Sequence, residues 1–182
     1  MKLYTTVMKP EVERFLRDAH IFARLVEQIL EDGYLRQSSG DKITFAQLNI
    51  LKFLDRPGPM LIKHVAGVLS ASYAAASKAV TRLEKKKLVR CATLPTDRRA
   101  EAVDVTARGH ALIRDYERTK ESRLRQILRG QSPDRLSKNL EEIIALLMRE
   151  RAVTGNPCLG CGAYYAPECV SRAHGHPCAA CR

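Results

Sequence analysis

A chain of 182 residues is long enough to bury one good core, with room for a small appendage. Its net charge of +11 favours a polyanionic partner, nucleic acid before an anionic membrane surface. No apolar run reaches about 18 residues, which excludes a membrane span. The N-terminus lacks the charged-then-apolar layout of a signal peptide, so a cytoplasmic protein is expected.

Taken in chain order, residues 10–36 predict one long helix. Val12, Phe15, Leu16, Ala19, Phe22, Ala23, Val26, Ile29 and Leu30 recur at three-four spacing, Pro10 suits the first turn, and Gly33 marks the end. So long a stripe exceeds what a lone surface helix needs, and part of it is expected to meet a second subunit. Ser38 to Gly40 reads as a loop. Thr44 with Gln47 three residues on has capping-box spacing, and Phe45, Leu48, Ile50, Leu51 and Leu54 supply the core face of the helix they open. Pro57-Gly58-Pro59 ends it. Ile62, Val65, Ala66 and Leu69 form the next stripe. Ser70 or Ser72 then caps another helix, whose buried face is Ala76, Ala79, Val80 and Leu83. Short strands follow, from Leu88 to Leu94 and from Ala102 to Val105, joined by a turn around Thr96-Asp97. Thr106 caps a helix reaching about Arg129, and Ser132-Pro133 opens a last one with Leu136, Leu140, Ile143, Ile144, Leu147 and Met148 on one face.

Two short helices, a lysine cluster and a charged strand-turn-strand describe a helix-turn-helix with a wing. The outward face of the second helix offers Ser72, Tyr73, Ala75, Ser77, Lys78 and Arg82, short and polar at its leading end. A major groove admits such a helix, whose hydroxyls and amines reach base edges and phosphates. Lys85, Lys86, Lys87, Arg90, Arg98 and Arg99 surround it, and a basic cluster of this kind suits the phosphate backbone and a narrow minor groove. The expected DNA contacts are Ser72, Tyr73, Ser77 and Lys78 in the groove, Arg98 and Arg99 at the wing, and Lys86 and Arg90 on phosphate.

At Thr44 to Leu51, Arg82 to Arg90, Pro95 to Ala100 and Val105 to Gly109 the chain resembles the MarR family of transcriptional regulators, over about residues 10–150. The resemblance implies a mainly α fold with a small β-wing. It has an N-terminal dimerisation helix in 1–40, a winged helix-turn-helix in 41–106 and C-terminal dimerisation helices in 107–153. It also implies a homodimer on palindromic double-stranded DNA, usually a repressor relieved by a small ligand or by oxidation, the ligand often lodging between the dimer helices and the winged domain. One departure is Lys87, where the family usually has glycine. Glycine there takes the left-handed conformation that ends a helix, whereas lysine in it costs on the order of 1 kcal/mol.

Residues 154–182 form a cysteine-rich tail outside the resemblance. Five of the six cysteines lie there, which fits metal ligation better than a disulfide framework. Cys158 with Cys161, and Cys178 with Cys181, are two CxxC pairs, each able to converge on one tetrahedral metal. Zinc in a closed structural site is the first expectation. An iron–sulfur cluster is the alternative, with Cys169, His174 and His176 as further candidate ligands. No Gly-rich phosphate loop, nucleophile elbow or HExxH accompanies them, so no enzyme is expected. Cys91 reads as packed filler on the wing strand, His64 as solvated, and His20 and His110 show no partner in sequence.

Overall fold

The structure, a computed structural model, describes residues 9–39, 43–55, 58–94 and 97–149, with the backbone alone for 94 and 97–100. Its elements are α1 (Pro10–Leu25), a π-helical section (Val26–Gly33), α2 (Tyr34–Ser39), α3 (Phe45–Asp55), β1 (Met60–Leu61), α4 (Ile62–Val68), α5 (Tyr73–Lys85), β2 (Val89–Leu94), β3 (Asp97–Val105), α6 (Ala107–Ile127) and α7 (Pro133–Met148). Among the described residues the strands make one antiparallel sheet in the order β1-β3-β2.

Local chemistry fixes where the helices start. The Gln47 N–H donates to the Thr44 hydroxyl and the Thr44 N–H to the Gln47 side-chain oxygen, both at 3.2 Å, a reciprocal capping box. Ser72, not Ser70, caps α5, accepting from the Ala75 N–H. Ser132 caps α7 by accepting from the Arg135 N–H. Leu48, Leu51 and Leu54 of α3, Val65 and Ala66 of α4, and Ala76, Val80 and Leu83 of α5 close one core with Val103, Val105, Ile113 and Tyr116. On α6, Glu117 sits between Lys52 and Lys120. Burial works against its charge, but the two ammonium groups outweigh burial and hold the carboxyl below its usual range. Its pairing therefore stabilises the fold above the ordinary carboxylate range, and that contribution is lost as pH falls through the lowered value.

The sequence reading needs correcting in three places. Gly33 does not end the first helix, and Ser38 and Ser39 are not loop: the chain stays helical to Ser39. Both hydroxyls donate back to the Leu35 carbonyl, at 3.1 and 2.7 Å, so the helix satisfies these serines within its own last turn. Second, β3 starts at Asp97 and not at Ala102, so Asp97 pairs with Leu94 instead of sitting in the turn. Third, Met60 and Leu61 form a short edge strand against Val103 and Ala102.

Helix α5 ends as the family's glycine would end it, with a lysine. Lys87 has φ of 59°. Its N–H donates to the Glu84 carbonyl at 2.7 Å, and the Leu88 N–H to the Leu83 carbonyl at 3.1 Å, while Leu83 and Leu88 pack in the core. Lys87→Gly should raise the unfolding free energy in urea titrations by roughly 0.5–1 kcal/mol, because relief of the left-handed backbone exceeds the entropy glycine adds to the unfolded chain.

The two end helices behave differently from the body. Neither α1 nor α7 buries a single residue. Phe15, Phe22, Leu25, Leu146 and Leu147 are each about half exposed, Phe22 at 50% and Leu146 at 61%.

Candidate nucleic-acid interface

The turn between α4 and α5 is built by backbone. Ser70 adopts φ of 49°, its N–H donating to the Gly67 carbonyl and the Ala71 N–H to the Ala66 carbonyl. That ends α4 sharply and lets Ser72 open α5 two residues later. Burial of Ala76, Val80 and Leu83 then leaves the opposite face outward.

That outward face is a shallow groove of two helical rows four residues apart: Tyr73, Ser77, Thr81 and Lys85 in one, and Ala74, Lys78 and Arg82 in the other. Tyr73, at 53% exposure, stands at the leading end. The structure thus brings Tyr73, Ser77 and Lys78 together as expected, with Ser77 half-buried. Ser72 lies at the helix start, its oxygen accepting for the cap and its O–H left to donate. Thr81 and Arg82 share this face, though neither was among the expected contacts. The four-residue spacing from Ser77 and Lys78 is the signal that identifies them. The Thr81 hydroxyl donates to the Ser77 carbonyl at 2.9 Å.

The wing is tied to the same helix. The Glu84 carboxylate accepts from the Cys91 N–H at 3.0 Å, joining the last turn of α5 to β2. Arg90 stands directly across the ladder from Asp104 and donates to its carboxylate through Nε at 3.1 Å and Nη2 at 2.6 Å. Its guanidinium therefore braces the wing, so any phosphate contact would be made by a group already held in place. Arg98 and Arg99 lie on β3 between the pairs Leu94↔Asp97 and Thr93↔Glu101, where the register shifts. The extra residues bulge from the ladder at this end of the hairpin.

Cys91 is half-buried as expected, and its thiol is pushed up to about 11 by burial and by the carboxylates of Glu84 and Glu101. At neutral pH roughly one thiol in ten thousand is thiolate. Iodoacetamide at pH 7.5 should leave Cys91 unmodified in folded protein and alkylate it once urea unfolds the chain, as peptide mapping would show. His110, partnerless in sequence, pairs with Asp55 and ties α6 to the end of α3. His64 is exposed, as expected.

Behind α5 lies a second feature, a cleft of about 620 Å³ where the ends of α2 and α5 meet the start of α6. Ser38, Lys85, Lys86, Lys87 and Arg108 line it, with Asp115 the single acid. Lys86, expected on phosphate, thus borders this cleft. The tail residues Cys158, Cys161, Cys169, His174, His176, Cys178 and Cys181 lie outside the described residues. Among the described residues no group of three or more His, Cys, Asp or Glu is arranged to hold a metal ion, and no helix is long and apolar enough to cross a membrane.

A helix-turn-helix whose second helix faces outward, followed by a bulged antiparallel hairpin, defines the winged-helix class. Residues 41–100 match the model of the MarR family. Among solved structures the chain is similar to RV1404 from Mycobacterium tuberculosis, with 20% identity, a TM-score of 0.62, and coverage of 83% of this chain and 100% of that one. It is likewise similar to a MarR family transcriptional regulator from Streptomyces coelicolor, solved in complex with DNA, with 23% identity, TM-score 0.60, and coverage of 81% and 94%. A third is FabT from Streptococcus pneumoniae, also in complex with DNA, with 17% identity, TM-score 0.56, and coverage of 76% and 96%. No curated protein matches the sequence significantly. MarR family members are transcription regulators, not enzymes.

Proposed function

We propose that the chain is a cytoplasmic, homodimeric repressor that binds a palindromic operator through α5 and the wing. The observation that carries this reading is the division of α5: every strongly apolar position is buried, and an uncovered face of hydroxyls, a tyrosine and cations remains. Ser72, Tyr73, Ser77 and Lys78 enter the major groove, Arg98 and Arg99 follow the flanking groove, and Lys86 and Arg90 hold phosphate. The second copy covers α1 and α7. Covering about a dozen half-exposed aliphatic and aromatic side chains contributes on the order of 10 kcal/mol per protomer before association entropy. Half-sites then lie about 10 base pairs apart, as two α5 helices on one face of a duplex require. Footprinting on duplexes selected from a random pool tests this. A twofold-symmetric footprint with that spacing is expected, and a single asymmetric patch contradicts it.

The basic cleft behind α5 supports a small-molecule effector of negative charge, since four cations face one carboxylate there. In the tail, Cys158, Cys161, Cys178 and Cys181 hold a structural zinc. The alternative is an iron–sulfur cluster, with Cys169, His174 and His176 as candidate additional ligands. Anaerobically purified protein should be colourless with one zinc per chain, while visible absorption with iron indicates the cluster. Chelation of a structural zinc should unfold the tail, raising its susceptibility to protease, and leave the melting of the winged domain unchanged.

A further inference from the structure

The first helix is continuous from Pro10 to Ser39 but changes its winding midway. Between Val26 and Gly33 it is π-helical, and at the end of that section the Tyr34 N–H is shared between the Glu31 carbonyl, three residues back, and the Ile29 carbonyl, five residues back. Two features hold this geometry. Gly33 has no Cβ, and one added there would stand 2.9 Å from the Gln28 carbonyl oxygen, also five residues back. The buried Tyr116 of α6 donates its hydroxyl to the Leu30 carbonyl at 3.0 Å, from outside the helix.

The sequence gives the reason for such a section. The apolar stripe of α1 runs through Val12, Phe15, Leu16, Ala19, Phe22 and Val26. The pair that anchors α2 in the core, Tyr34 and Leu35, lags that stripe by about one residue, or about 100° of a regular helix. A π-helical section takes up about one extra residue. Both apolar faces thereby come to one side of a single rod, although only the second is buried within the chain.

We propose that this section is a one-residue phase corrector, latched by Tyr116, which sets the side of α1 presented to the second copy and hence the separation of the two α5 helices. The proposal rests on the homodimer reading. Conversion of the section to regular α-helix turns the stripe by about 100° while α2 stays seated, so the copies no longer meet in register. The section is then a two-state element placed between pairing and DNA reading, which anything acting on the Tyr116 latch can bias.

Three variants test it. Gly33→Ala should weaken dimerisation at least tenfold in sedimentation equilibrium. Deleting Gln28 in the Gly33→Ala background removes the extra residue and should restore dimerisation to within threefold of the natural chain, a rescue that a merely damaged helix does not show. Tyr116→Phe should weaken dimerisation in the same direction with the winged domain still folded. Couplings across hydrogen bonds, read by NMR, report the winding in any oligomeric state: Tyr34 should couple to the Ile29 carbonyl in the natural chain and to the Leu30 carbonyl after Gly33→Ala. Unchanged dimerisation in Gly33→Ala, no rescue by the deletion, or coupling to Leu30 in the natural chain overturns the proposal. A natural chain that is monomeric yet couples to Ile29 overturns instead the homodimer reading.

Discussion

Gly109→Ala should lower the unfolding free energy by about 3 kcal/mol or more. Helical propensity alone points the other way, since alanine in place of a helical glycine gains roughly 1 kcal/mol. Space decides. A Cβ on Gly109 would lie 2.3 Å from the Leu88 carbonyl oxygen, 2.6 Å from Val105 Cγ1 and 3.3 Å from Leu51 Cδ1. The Val105 methyl can turn, but the Leu88 carbonyl cannot readily retreat. It accepts from the Thr106 N–H at 3.0 Å and from the Thr106 hydroxyl at 3.1 Å, in the same peptide region that ends α5. That hydroxyl shares its single proton with the nearer Lys87 carbonyl, at 2.8 Å, and its oxygen accepts from the Gly109 N–H as the cap of α6. Making room for one methyl therefore disturbs the cap, the strand base and the end of α5 together. Urea unfolding followed by circular dichroism measures the loss. A change below about 0.5 kcal/mol would mean the backbone there yields, and the tight-junction reading would be wrong.

The second large effect concerns binding. Lys78→Glu with Arg82→Glu should reduce operator affinity at least a hundredfold, with the melting temperature moved by only a degree or two. Both side chains are exposed on the outward face of α5, so reversing them costs the fold little. Against a duplex, each reversal removes a cation and adds a repelled anion. The slope of log affinity against log salt should fall by about two for each protomer. Full affinity in this double variant would remove α5 from the interface.

Much of this architecture was legible because it rests on short-range chemistry. Thr44 with Gln47 announces its cap by type and spacing, and Thr106 by type, and the structure makes the corresponding hydrogen bonds. Buried and outward faces of α5 follow from period. What escaped depends on partners distant in sequence. Nothing near Leu30 announces that Tyr116, 86 residues on, would bond its carbonyl, so the π-helical section was read as plain helix ending at Gly33. The pairing of His110 with Asp55 spans 55 residues, and β1 is two residues long, too short for any period. The Lys87 departure was visible, yet the choice between a different helix end and a strained lysine needed the backbone, which keeps the left-handed end. Arg90 was visible as a cation, but its carboxylate partner comes from strand register.

The most direct test is a salt titration of the natural chain on a fluorescent duplex, first of random sequence and then carrying the selected symmetric site. The account predicts binding to both at low salt. Affinity should fall with salt at a log–log slope of about −6 or steeper, as several phosphate contacts on each of two protomers require, and the selected site should keep an advantage as salt rises. No binding at low salt, or a slope near zero, would contradict it.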